Sequence, residues 1–339
     1  MSEGVNGPER RVRSIPPFSL FPEVLTSPAL RLAIAVVLIG AVLLLVKGSV
    51  AMGQTTLNGL VSAGYYALGA VGLTLIFGIL RLVNFAHGDM LTFGAYATVG
   101  AMAAGLPFLA AAVLAIAASA AVAVATDALV WQPLRRRRTS TLQLFLVAIG
   151  IALILRYSVQ FFGGGQIRSI GLDTLSSVAI GPWRLGTLQL IVLAVGLMVI
   201  ALAGLALRFT RVGRQLRAMA DNISLAEVSG IDTIKSIRLT WAVAGALAGL
   251  AGILYAAAIG SINPNFGVTI LLSLFASAVL GGIGNAYGAL AGGIIIGLSQ
   301  EWSTLFLNPR WKPAVGFVIL ILTLLLMPRG IFGRRRTRL

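Results

Sequence analysis

The amino-acid sequence predicts an all-α protein, a polytopic transmembrane helix bundle of about ten spans in which some helices are short or broken. Three observations predict it. Of 339 residues, 58% are hydrophobic and 11% charged, whereas a soluble domain carries about 25% charged residues. The apolar residues gather into ten runs, each near the roughly 20 residues that cross about 30 Å of hydrocarbon. The 26 Lys and Arg lie in short bursts between those runs. They are not interleaved with aromatics on a polar face, so the net charge of +16 reads as membrane orientation and not as nucleic-acid binding.

Residues 1–28 are polar, proline-rich and basic at Arg10, Arg11 and Arg13. They read as a retained, disordered cytoplasmic arm, because no small-residue cleavage site follows the next apolar run. The runs come at 29–49, 57–80, 86–105, 108–131, 141–162, 187–207, 238–259, 268–284, 287–306 and 311–328. The third and eighth are short or interrupted. With the amino terminus inside, twenty basic residues fall on inner segments, including Arg135, Arg136, Arg137 and Arg138 and the carboxyl-terminal RRRTR. Only Lys47, Arg168, Arg184, Arg310 and Lys312 fall outside. Positive-inside asymmetry then puts both termini in the cytoplasm.

Two loops are long. The outer one, 163–186, holds Gly163, Gly164, Gly165, Pro182 and Trp183 and suits an interfacial hairpin or short helix. The inner one, 208–237, is amphipathic: Leu216, Met219, Ala220 and Ile223 recur at helical spacing with basic side chains on the other face. Asp221 or Asn222 can cap a second short helix, and Gly230 fits a left-handed stop. Such a loop either lies on the inner leaflet or docks into a cytoplasmic protein; its compactness and firm stop signals favour docking.

Forty glycines are mainly packing residues, as at Gly284, Gly288 and Gly292 or Gly245 and Gly249. Small residues one turn apart let helices approach closely in lipid. The run LGGIGNAYGALAGG at 280–293 also reads as a helix break, tolerated at membrane depth only beside protein or a water cavity. It makes Gly281, Gly282 and Gly284 candidates for lining a solute path.

Absence of cysteine and a single histidine exclude disulfides, thiolate sites and multi-histidine metal sites. None of Lys47, Lys235 and Lys312 follows a glycine, so no phosphate-cradling Gly-Lys-Ser/Thr loop exists. Any ATP-driven role draws on a partner. Ionisable residues inside or near the spans are functional suspects, yet most have a structural reading: Arg156 snorkelling, Asp127 facing the arginine block, Glu301 near the outer end of its span. The stretch RLVNFAHGD at 81–89 is more specific. One reading is an inner turn, with Asn84 capping a helix and Asp89 at its amino end. The other is a discontinuous helix lining the path, with Asn84, Phe85, His87, Gly88 and Asp89 as candidates. His87 and Asp89 could also carry protons in a stand-alone transporter or channel; a membrane enzyme lacks any nucleophile constellation.

Three blocks carry a family resemblance: GLTLIFGILRLVNFAHGDMLTFGAYA at 72–97, VGRQLRAMADNISLAEVSGID at 212–232, and INPNFG with AVLGGIGNAYGALAGG across 262–293. With MPRGIFG at 327–333, they resemble the LivH-type permeases of branched-chain amino-acid ABC importers over residues 56–332. The resemblance implies an importer permease fold, no cofactor bound by this chain, and ATP with Mg bound by partner ATPases. It implies as partners a second homologous permease subunit, two cytoplasmic ABC ATPases and an extracytoplasmic solute-binding protein, besides membrane lipid and without nucleic acid. It makes 208–237 a coupling loop, with Arg217, Ala218, Asp221, Asn222, Ala226, Gly230 and Ile231 toward the ATPase, and adds Asn263 to the path candidates. The domain layout is then an arm at 1–28, an extra first helix at 29–50 beyond the usual family start, a permease domain at 51–330 and a basic tail at 331–339. Urea and short-chain amide permeases share these blocks and are the alternative substrates.

Overall fold

A computed structural model describes residues 28–137 and 139–332. The expected arm up to residue 27 and the tail from 333 lie outside the described residues. The chain divides into two compact units, 1–42 and 43–339. In the first, the described part is the start of helix α1 (Pro28–Lys47), where Ile34, Val37, Leu38, Ile39 and Val42 are exposed. A helix apolar on every face suits lipid.

The second unit is built on α2 (Ser49–Leu80), 32 residues long and almost continuously buried from Val61 to Ile76. Next come α3 (His87–Ala103) and α4 (Phe108–Thr126), the latter continuing through a π-helical turn (Asp127–Trp131) into α5 (Gln132–Arg136). Helix α6 (Thr141–Gly163) starts from a capping box in which Ser140 and Gln143 satisfy each other's backbone N–H groups. The outer loop then forms β1 (Arg168–Ser169) and a hairpin of β2 (Ser177–Ile180) and β3 (Trp183–Gly186). Trp183 Nε1 donates to the Val50 carbonyl (3.1 Å), tying the hairpin to the start of α2. These strands, two to four residues long, leave the chain a helical bundle, and a hairpin was one of the two forms the loop composition suggested.

Helix α7 (Thr187–Phe209) leads into the inner loop, which folds as α8 (Arg211–Asp221) and α9 (Ile223–Val228). Asn222 caps α9 by accepting from Leu225 N–H (3.0 Å), and Gly230 leaves with φ +84°. Helix α10 (Thr233–Ile259) runs to β4 (Ser261–Ile262), which pairs with β1. Then follow α11 (Phe266–Gly281), α12 (Ala286–Ser303) and, after a 3-10 turn (Pro309–Trp311), α13 (Lys312–Leu326).

All ten apolar runs contain helix, but among the described residues six helices are long and apolar enough to cross a membrane: Ser49–Leu80, Phe108–Arg136, Thr141–Gly163, Thr187–Phe209, Thr233–Ile259 and Pro309–Leu326. The third and eighth runs give helices of 17 and 16 residues, each entered from a non-helical segment. Small residues set the inner packing. On α12, Gly293 lies on Ala67 of α2 and Gly297 on Gly59 and Ala63, backbone to backbone. On α10, Gly245 and Gly249 receive Ser119 of α4, and Gly252 sits on the Leu91 carbonyl of α3. With no hydrophobic drive between helices in lipid, this close approach supplies the dispersion contact that holds them.

Candidate functional site

Two helix breaks face each other beside the carboxyl-terminal half of α2. Helix α2 ends where Arg81 takes a left-handed conformation (φ 53°), its N–H bonded to the Phe77 carbonyl (2.8 Å). Residues 81–84 have no regular structure, and α3 starts at His87. The His87 imidazole lies against Gly69 and Gly72 of α2, and Gly69 is about 16 Å from the end of α2 at 1.5 Å per residue. The chain therefore climbs back along α2 before α3 begins, so it is a discontinuous helix and not a surface turn.

Each candidate residue in this break has a definite placement. Asn84 is fully buried; its Oδ1 accepts from Ala86 N–H (3.1 Å) and its carbonyl from His87 N–H (3.3 Å). The expected N-cap role is corrected: Ala86 occupies that position, and Asn84 braces the turn before it. Nε2 of the buried His87 is 2.9 Å from the Gly69 carbonyl oxygen. That oxygen can only accept, so Nε2 carries the proton. Gly88 lies on the Gly267 carbonyl. Asp89 is fully buried and pairs in bidentate fashion with Arg156 of α6, at 2.9 and 3.1 Å. The snorkelling reading of Arg156 is thereby overturned: a buried carboxylate draws the guanidinium inward. With His87 held by a carbonyl and Asp89 by an arginine, the two do not form a proton relay.

The second break, 282–285, joins α11 to α12. Gly282 (φ 103°) and Gly284 (φ 88°) occupy backbone conformations that side chains resist. Gly284 N–H donates to Thr74 Oγ1 (3.3 Å) across to α2, and Gly281 meets Gly288 backbone to backbone. Residues 327–332 fold over this elbow, with Ile331 N–H donating to the Leu280 carbonyl (2.8 Å) and Phe332 N–H to that of Gly281 (3.2 Å).

Two cavities open on these breaks. One is an apolar groove of about 290 Å³ lined by Leu73, Phe77, Val83, Phe85, Phe275 and Leu324, among others. The other, about 350 Å³, is bordered by Gly78, Arg81, Arg217, Asp221, Gly282 and Asn285. Thr74, Phe77 and Ile283 line both, so the spaces adjoin. Of the path candidates, Phe85 faces the groove, its ring packed on Phe145 and Phe275 (5.1 and 5.3 Å), and Gly282 and Gly284 face the second cavity. Asn84, His87, Gly88, Asp89 and Gly281 line neither. Asn263 stands apart: its Oδ1 accepts from Asn265 N–H (3.0 Å) and turns the chain into α11.

Within the inner loop, Arg217 and Asp221 border the second cavity, and Arg217 Nη1 donates to the Leu207 carbonyl. Ala218 is half-buried, Ala226 is buried and accepts through its carbonyl from Ile231 N–H (3.1 Å), and Asn222 and Gly230 are exposed. The sequence reading missed Leu225 and Val228, whose side chains are 64% and 87% exposed on α9. Their signal was two apolar residues three apart in a helix too short to need both for its core.

A buried polar cluster beside the amino-terminal half of α2 was also missed. Lys312 donates to Glu301 Oε1 (2.7 Å), as does Ser62 (2.9 Å), and Tyr65 donates to Ser62 (2.8 Å). Tyr66 donates to Gln300 Oε1 (2.7 Å), and Gln300 Nε2 to Ser273 (2.8 Å). The adjacent pairs Tyr65–Tyr66 and Gln300–Glu301 inside apolar runs were the available signal.

A family model described as the permease component of branched-chain amino acid transport systems matches residues 55–324. The LivH permease protein of the high-affinity branched-chain amino acid transport system of Escherichia coli K12 is 33% identical over 300 residues, covering 83% of this chain and 95% of that protein. BraD of Pseudomonas aeruginosa, described in the same terms, is 30% identical with the same coverage. A probable LivH from Methanocaldococcus jannaschii is 33% identical, covering 78% of this chain and 87% of that one. Taken with a bundle of membrane-length helices, these matches show that the chain is a multi-pass membrane protein belonging to the family of permease components of branched-chain amino acid transport systems.

Proposed function

We propose that this chain is the permease subunit of an ATP-driven importer moving branched-chain amino acids across the cytoplasmic membrane. The observation that carries the reading is the junction of the apolar groove with the second cavity, whose border includes Arg217 and Asp221 of α8. An apolar groove suits an aliphatic side chain, and the polar rim beyond it suits a zwitterion leaving toward the cytoplasm. The chain crosses the membrane about ten times, both termini are cytoplasmic, and residues 51–330 form the working domain after an extra first helix. The native chain has no cysteine, so single introduced cysteines report sidedness without background; labelling of residue 137 from the outside would overturn the orientation.

A second homologous permease, two cytoplasmic ATPases and an extracytoplasmic binding protein complete the importer, and ATP with Mg is held by the ATPases alone. Helices α8 and α9 couple to the motor, with Leu225 and Val228 entering an apolar groove on the ATPase. ATP binding closes the motor dimer, α8 shifts, and the 282–285 elbow moves with it, exposing the path to each side in turn. Removing residues 217–230 should abolish co-purification of the ATPases while leaving the permease in the membrane; retained co-purification sinks the coupling role. The substrate is tested in proteoliposomes carrying all subunits. ATP-dependent uptake of leucine is expected, and uptake of urea or acetamide in its place would overturn the assignment.

A further inference from the structure

Where α4 runs into α5, the helix widens into a π turn, a form that recurs at functional sites. Asp127, first residue of that turn, is 1% exposed and holds Arg135 Nη2 at 2.8 Å. The pair borders a recess of about 250 Å³ formed with Gln132 and Arg136 and with Ile234 and Ile237 of α10. Three features point to a ligand. Arg135 Nη1 is buried and has no hydrogen-bond partner, although a buried guanidinium donor normally has one. Arg136 and Arg137 are exposed at the same end of the helix, so the surroundings stay basic after Asp127 neutralises Arg135. Ile234, at the lip, is 50% exposed and calls for an apolar neighbour.

We propose that this recess binds an acidic phospholipid of the cytoplasmic leaflet. Its phosphate accepts from Arg135 Nη1 and Arg136, and its acyl chain lies along Ile234 and Ile237. Asp127 is a positioning residue: its ion pair engages Nη2 and leaves Nη1 as the unpartnered donor, which suits a phosphate oxygen. Free phosphate would satisfy the arginines and leave the isoleucines uncovered, whereas a lipid meets both needs. Placement in the cytoplasmic leaflet rests on the orientation proposed above. Lipid binding to the detergent-purified chain does not depend on that orientation, so the two readings fail separately.

The test is titration of the purified full chain with phosphatidylglycerol, phosphatidylcholine or sodium phosphate, read by native mass spectrometry and thermal unfolding. Phosphatidylglycerol should bind and raise the melting temperature, with phosphatidylcholine and phosphate having little effect. Arg136→Gln should weaken phosphatidylglycerol binding about fivefold, the loss expected of one basic side chain near an anionic surface. Arg329→Gln, a change of the same charge elsewhere, should not. Because Arg135→Gln alone strands Asp127, the Asp127→Asn/Arg135→Gln double variant is used, and it should lose binding more fully while staying folded. Equal response to the two lipids, an equal loss in Arg329→Gln, or saturation by phosphate alone would each overturn the proposal.

Discussion

The two halves of α2 meet different surroundings. Around its amino-terminal half, polar groups close on one another in two hydrogen-bonded chains between α2, α11, α12 and α13: Lys312, Glu301, Ser62 and Tyr65 make one and Tyr66, Gln300 and Ser273 the other, with the Tyr65 and Tyr66 rings packed edge to face at 4.7 Å. Around its carboxyl-terminal half, from Leu73 to Arg81, the neighbouring helices are broken and two adjoining cavities remain. One end is closed by hydrogen-bonded polar groups, and at the other the cavities lie beside the breaks at 81–86 and 282–285, of which the second is a glycine elbow. For the path proposed above, one closed end and one open end are what one state of an alternating cycle requires, and the proposal then has its movable parts beside the inner loop.

The largest expected effect lies at the boundary of the halves. Asp89→Ala strands the Arg156 guanidinium against α3, and loss of one partner of a buried pair costs about 3–5 kcal/mol. Thermal unfolding in detergent should show it, and Asp89→Ala/Arg156→Leu should recover most of the loss. If the single variant is as stable as the parent, the pair is not part of what joins α6 to the bundle.

In the open half, Gly284→Ala forces a side chain into a left-handed conformation at about 1–2 kcal/mol and disturbs the elbow over Thr74. Transport in the assembled importer should fall more than stability does. The sealed half should show the reverse balance: Glu301→Gln keeps the shape but loses the ion pair to a partly exposed Lys312, at about 1 kcal/mol. It should lower stability and leave residual uptake. Equal behaviour of the two variants would remove the distinction between the ends.

Helices were legible at all ten apolar runs because each run is near membrane length, and the inner loop because its caps and stops are local signals, as at Asn222 and Gly230. The break at 81–86 was legible as a break, but its depth was not. That depth depends on His87 returning to Gly69, a contact across 18 residues that no periodicity encodes. Asp89 was marked as costly to bury, and Arg156 was marked separately; their pairing across 67 residues is tertiary information. The polar cluster was hidden for a related reason. Ser62, Tyr65, Gln300 and Glu301 each look like an isolated imperfection in an apolar run, and only helix packing brings each to its partners.

The smallest effect tests how firmly the open end is held. Helix α10 starts from Asp232, whose carboxylate accepts from Lys235 N–H (3.0 Å) and faces the Lys235 ammonium at 3.1 Å. The backbone bond first and the lysine side chain second hold its pKa below the usual carboxylate value. A group with a depressed folded pKa stabilises fully above its unfolded pKa, about 3.9, and loses that contribution as pH falls through the lower folded value. Amide exchange at residues 234–236 should therefore show little pH-linked loosening of the cap at neutral pH and a growing one below about pH 4. Asp232→Asn retains a good capping side chain but has no charge to titrate, so it should be nearly silent at pH 7 and abolish the acid-linked change. The amides of residues 62–66, buried within the sealed cluster, should stay slower than these at every pH. Exchange as slow at the start of α10 as in that cluster would mean that both ends of the bundle are equally fixed, and the open end could not be the moving one.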